Sequence, residues 1–126
     1  IANQSKNNAI KLANELNYVG TMCVEYFIDE NNHLLVNEIA PRVHNSGHLT
    51  INAYNISQFE SHIRAVCNLE AIEPVMKSAA IMQNIIGEDI FKYKKKQYKS
   101  NEFFFDYLKK EAKPKRKMGH LTTLET

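Results

Sequence analysis

Apolar residues recur at helical spacing near the start of the chain. Ala9, Ile10, Leu12, Ala13 and Leu16 share one face of a helix expected over residues 5–18, with Ser5 as its N-cap. Asn17 to Gly20 ends it. TMCVEYFI (21–28) is β-branched and aromatic, and LLVNEIA (34–40) repeats that character. With the polar DENNH between them, the two runs predict a β-hairpin. Residues 42–57 read as loop, because Gly47 and the Asn/Ser cluster break any period. A helix is expected over 57–70, opened by a Ser57/Glu60 capping box and lined inside by Phe59, Ile63, Val66 and Cys67. AAIMQNII (79–86), FFFDY within 103–110 and GHLTTLE (119–125) predict three further strands, the second of which also admits a short helix. The fold class expected is α+β, divided into residues 1–76 and a small β-rich domain over 77–126.

Composition narrows this little. The chain has 126 residues, 44% hydrophobic and 24% charged, near the average for a globular domain. No apolar run approaches the ~18 residues of a membrane span, and no signal peptide is visible, so no membrane partner is expected. The chain begins with Ile inside a helical pattern, which reads as a fragment or a processed chain. Cys23 and Cys67 lack any metal-binding spacing and read as two reduced, buried thiols.

Charge changes the picture more. The formal net charge of +2 hides −4 over residues 1–76 and +7 over 77–117. An acidic front and a basic back suit a site for metal and phosphate. They also suit a nucleic-acid-binding module, with Lys and Tyr interleaved over 92–99 and a basic segment over 109–117. A third reading is a non-catalytic interaction domain.

The segment from Glu25 to Thr50 carries the chemistry. Glu25 and Glu38 lie on adjacent antiparallel strands, and facing carboxylates repel unless a cation joins them. Hard oxygen donors suit Mg²⁺ shared with phosphates. The alternative is that the two carboxylates point to opposite faces and are solvated. If the extended backbone continues, Glu38, Ala40, Arg42 and His44 fall on one face, leading into an Asn-Ser-Gly-His loop. Arginine beside a metal carboxylate suits an oxyanion such as phosphate or bicarbonate. Ordinary loop hydrogen bonds for His44 and His48, and an internal ion pair for Arg42, are the plainer readings.

VNEIAPRVHNSGHLT followed by SQFESHIRAV closely resembles the phosphoryl-transfer segment of the N5-carboxyaminoimidazole ribonucleotide synthetase family, in the ATP-grasp superfamily. KPKRKMGH resembles that family's C-terminal signature, with Lys113 for its Arg and Lys115 for its turn Gly. The resemblance runs from Lys6 to Thr122. It implies the C-terminal third of such an enzyme: the second half of an ATP-grasp domain plus a small mostly-β domain. The glycine-rich loop, lysine and adenine pocket have no counterpart here, so the isolated chain is expected to be inactive.

The resemblance also implies roles. Glu25 and Glu38 would hold Mg²⁺, and Asn37 with Glu38 would meet the ATP phosphates. Arg42, His44, Asn45 and Ser46 would line the pocket where bicarbonate is phosphorylated to carboxyphosphate. His48 belongs to the motif without a defined role. Lys110, Arg116 and Lys117 would grip the 5′-phosphate of 5-aminoimidazole ribonucleotide. Lys94 to Lys96 lie outside any motif and read as solvated surface. The implied enzyme is a ligase that carboxylates 5-aminoimidazole ribonucleotide with ATP and bicarbonate in purine biosynthesis. It would be cytoplasmic and a homodimer, with no nucleic-acid partner.

Overall fold

The computed structural model describes residues 1–125. The chain forms two compact units. The first comprises residues 1–47 and 56–73, the second 48–55 and 74–126.

The first unit opens with α1 (Ala2–Glu15), whose N-cap is Ile1 and not Ser5. Ser5 sits one turn inside, and its hydroxyl donates to the Ala2 carbonyl at 2.9 Å. The first turn runs without a side-chain cap, and the Ser5 amide donates to the Ile1 carbonyl at 2.9 Å. The helix ends where Asn17 turns left-handed at φ 48°. β1 (Cys23–Ile28) and β2 (Leu34–Ala40) form the expected antiparallel hairpin. Its turn is set by Asp29, whose carboxylate accepts the Asn31 and His33 amides at 2.9 and 2.7 Å. The register is Glu25 opposite Glu38, then Tyr26 opposite Val36, so Asn37 is an extra residue in β2.

The segment expected to be irregular contains a 3₁₀ turn at Asn45–Gly47 and the one-turn α2 (Thr50–Ala53). Elements of three and four residues are too short to show a hydrophobic period. α3 (Gln58–Val66) begins at Ser57, whose hydroxyl accepts the Glu60 amide at 3.1 Å. The reciprocal half of the capping box is replaced: Glu60 instead takes Arg64 Nε at 3.0 Å. The face expected to be internal is largely open. Ile63 and Val66 are 56% and 61% exposed, and Cys67 is exposed too, against the expectation of a buried thiol.

In the second unit β3 (Ala80–Ile86), β4 (Glu102–Asp106) and β5 (Lys117–Leu124) form an antiparallel sheet in the order β3-β5-β4. α4 (Ile90–Tyr93) follows β3 after a 3₁₀ turn. Ile85, Ile90, Met118 and Leu121 make the core, with Tyr93, Tyr98, Phe104 and Ala112 packed against it. The FFFDY run is therefore strand, as its composition favours. Gly119 is required at the centre of β5, because a Cβ there would stand 2.3 Å from the Phe105 carbonyl oxygen.

Lys94, Lys95 and Lys96 are exposed, and two of them are paired. Lys94 Nζ pairs with Asp106 at 2.8 Å and Lys96 Nζ with Glu102 at 3.1 Å. The Lys94 ammonium holds the Asp106 carboxyl below its ordinary value. The Lys99 amide, then Lys96, do the same for Glu102. Among the described residues no helix is long and apolar enough to cross a membrane.

Candidate functional site

Glu25, Asn37, Glu38, Arg42, His44, Asn45 and Ser46 all fall in the first unit. The hairpin brings the first three together. Glu25 and Glu38 are direct register partners. The extra residue at Asn37 is a bulge, which re-aims side chains locally. Asn37 Nδ2 thereby donates to Glu25 Oε2 at 3.4 Å. Arg42 lies close to Glu38, Nη2 to Oε1 at 3.8 Å, with both side chains more than half exposed.

His44 completes the cluster. Its Nε2 is 3.3 Å from Glu25 Oε1, and its ring is 15% exposed. Its Nδ1 is 3.0 Å from Ser46 Oγ, and that hydroxyl lies 3.7 Å from Cys23 Sγ. The His44 backbone is fixed from α3. Gln58 Oε1 accepts the His44 amide at 2.9 Å, and Gln58 Nε2 donates to the His44 carbonyl at 2.7 Å. Gly47 belongs to the same clamp: a Cβ there would stand 2.4 Å from Gln58 Oε1, whose head cannot move without losing both bonds.

Sequence reasoning missed two of these groups. Cys23 is two residues before Glu25 on β1, so strand alternation alone puts both on one face. Gln58 is the second residue of the SQFE run, but nothing in its type predicts a bond to a histidine backbone.

The remaining motif residues belong to the second unit. Lys110, Arg116 and Lys117 are exposed. Arg116 Nη1 reaches the Glu111 carbonyl only at 3.5 Å, and the Lys117 carbonyl accepts Lys109 Nζ at 2.7 Å. Lys115, standing where the resembled signature has glycine, adopts φ 62°, the left-handed conformation a glycine takes without strain. His48 packs edge-on to Tyr107, ring centroids 5.8 Å apart, and lies 5.5 Å from the His120 ring. His120 is buried, and Tyr107 Oη bonds its Nδ1 at 2.8 Å. Burial, then the nearby His48, pushes its pKa down to about 4.

Two family models cover most of this sequence. Residues 1–59 match the ATP-grasp domain, and residues 80–126 match the phosphoribosylaminoimidazole carboxylase C-terminal domain. The N5-carboxyaminoimidazole ribonucleotide synthase of Staphylococcus haemolyticus is 45% identical over 124 residues, which is 96% of this chain and 33% of that protein.

The chain matches the C-terminal third of N5-carboxyaminoimidazole ribonucleotide synthases.

It spans about a third of the length of the curated relatives it matches. Solved structures agree. The Staphylococcus aureus N5-carboxyaminoimidazole synthetase, complexed with ADP, superposes with a TM-score of 0.89 at 38% identity, over 99% of this chain and 35% of that one. The Aspergillus clavatus enzyme, in complex with ADP and 5-aminoimidazole ribonucleotide, gives 0.75 at 36% identity, over 84% and 30%. The α+β class with antiparallel sheets, expected from the sequence, is what the chain shows over the part that superposes.

Proposed function

We propose that this chain supplies the phosphoryl-transfer hairpin and the ribonucleotide-phosphate segment of an ATP-dependent ligase. The ligase carboxylates 5-aminoimidazole ribonucleotide with bicarbonate, through carboxyphosphate, in purine biosynthesis. We divide the roles at residue 76/77. The observation that carries the reading is the register of the hairpin: Glu25 directly opposite Glu38, with Asn37 bulged against Glu25 and His44 against the same carboxylate. Like charges facing across strands destabilise a sheet, so the pair makes physical sense as a cation site.

The residues fit Mg²⁺. Glu25 and Glu38 are partly exposed oxygen donors at the mouth of a hairpin, suited to an ion that keeps water and phosphate ligands. When bound, Mg²⁺ supplies charge neutralisation at the phosphoryl oxygens of ATP. The chain's own groups do the rest. Asn37 and Glu38 orient the triphosphate. Arg42, with an exposed guanidinium, holds bicarbonate and the transferred phosphoryl group in line. His44, whose ring is fixed by Ser46 and whose backbone is clamped by Gln58, donates or accepts at the bicarbonate oxygen. Asn45 and Ser46 close the pocket around a product that water would destroy.

Lys110, Arg116 and Lys117 present exposed cations for the 5′-phosphate of the ribonucleotide. Relatives whose structures contain ADP and 5-aminoimidazole ribonucleotide support both ligands. The enzyme is expected to be cytoplasmic and homodimeric.

The test is an assay of the complete enzyme carrying this chain, with ATP, Mg²⁺, bicarbonate and 5-aminoimidazole ribonucleotide. Release of ADP should require both bicarbonate and the ribonucleotide. ADP release indifferent to both would overturn the reading.

A further inference from the structure

The hairpin holds a second kind of donor set. Cys23 Sγ, a Glu25 carboxylate oxygen and a His44 ring nitrogen all lie within 4.8 Å of one another. Cys23 is a free thiol, partly accessible. Thiolate, carboxylate and imidazole together are poor partners for Mg²⁺ and good ones for a borderline-soft ion. We propose that Cys23, Glu25 and His44 form a site for a divalent cation of the Zn²⁺ class, separate in chemistry from the Glu25/Glu38 pair.

Geometry supports it. Nitrogen and oxygen ligands about 2.0–2.1 Å from a tetrahedral ion stand roughly 3.3–3.4 Å apart. His44 Nε2 and Glu25 Oε1 are 3.3 Å apart. Cys23 and Glu25 are two residues apart on β1, so the strand presents both to the same face. The surroundings hold each ligand in place. Ser46 Oγ takes His44 Nδ1 at 3.0 Å, which leaves Nε2 as the nitrogen facing Glu25. Asn37 donates to the other oxygen of Glu25 at 3.4 Å. Such outer contacts fix the orientation of ligands at metal sites. Three protein ligands leave a fourth position open to water or to a phosphate oxygen.

An ion here would take Glu25 and His44 away from phosphoryl transfer, so in the reading above the site is inhibitory. The site itself does not depend on that reading, and its test contains no ATP.

The experiment titrates the metal-free chain with Co²⁺ and Zn²⁺ in a Cys67→Ser background, where Cys23 is the only thiol. One Co²⁺ per chain should bind with a thiolate-to-cobalt charge-transfer band and tetrahedral visible absorption. Zn²⁺ should abolish both, and millimolar Mg²⁺ should not. Cys23→Ser and His44→Gln should each weaken Zn²⁺ binding by at least about tenfold. Stoichiometric cobalt binding without the thiolate band would overturn the proposal. So would the absence of one-to-one binding, or Zn²⁺ affinity unchanged in Cys23→Ser. The wild-type cobalt spectrum decides the matter even if a variant misfolds.

Discussion

The two units differ in where their apolar residues go. In the second, Ile85, Ile90 and Met118 are 1–2% exposed and form a closed core under a three-stranded sheet. In the first, Phe27, Ile28, Leu35, Val36 and Ile39 on the hairpin are 43–61% exposed, and α1 buries no residue. Yet the unit with the weaker core carries the denser chemistry: paired carboxylates, a clamped histidine, an arginine and a thiol. Polar groups poised for ligands cannot also be buried against apolar neighbours without cost. In the first unit Gln58 on α3 bonds both backbone groups of His44 and so fixes the histidine without burying it in an apolar core.

The largest effect expected is on stability. Ile85→Ala should cost about 2–5 kcal/mol, the range for deleting a buried aliphatic side chain. Ile63→Ala, at 56% exposure, should cost less than about 1 kcal/mol. Denaturant midpoints of the two variants check this, and equal losses would erase the contrast between the units.

The next is pH dependence. The neutral form of His120 is favoured in the fold, with its pKa depressed to about 4 from the ordinary 6.5. As pH falls below 6.5 the unfolded chain takes up the proton first, so stability is lost between about 6.5 and 4 and then levels. The loss should be roughly 3 kcal/mol at most. A His120→Gln variant should show a flatter profile over that window. Unfolding measured from pH 7 to 4 in both proteins tests it, and parallel profiles would free His120 of the effect.

Binding comes next. In the complete enzyme Arg116→Ala should raise the KM for 5-aminoimidazole ribonucleotide about tenfold to a hundredfold and leave that for ATP nearly unchanged. This follows from roughly 1.5–3 kcal/mol for a charged hydrogen bond. Neutralising Lys94 to Lys96 together should move neither KM more than a few-fold, since Lys94 and Lys96 are engaged by Asp106 and Glu102. A reversed pattern would move the phosphate site to the Lys cluster. The smallest effect is local: Lys115→Gly should stabilise by up to about 1 kcal/mol, by relieving a left-handed lysine at φ 62°. Destabilisation on that change would mean the lysine side chain outweighs the backbone strain.

The same contrast explains what could be read from the sequence. β2 has the bounds that its LLVNEIA run suggests, and β3 starts one residue later than expected. Alternation and β-branching are local properties, and a strand expresses them wherever it is placed. The face of α3 was legible as apolar, but a period says only that a face is apolar and not what covers it. The pairing of Glu25 with Glu38 follows from strand position. The bulge at Asn37 does not, because one inserted residue depends on how both strands pair. Cys23 is within reach of simple alternation from Glu25, but its sequence spacing matches no metal motif and so points only to a buried thiol. The Gln58 clamp on His44 joins residues fourteen apart through backbone atoms, which carry no sequence signal.

The central claim is that the facing carboxylates of the hairpin serve phosphoryl transfer. It is tested most directly by the Mg²⁺ dependence of ribonucleotide-stimulated ADP release, comparing the complete enzyme with its Glu25→Gln and Glu38→Gln variants. Each variant should lose about a hundredfold to a thousandfold in turnover even at saturating Mg²⁺, the scale on which removing one preorganised electrostatic group acts. Turnover near that of the unaltered enzyme in either variant would contradict the account.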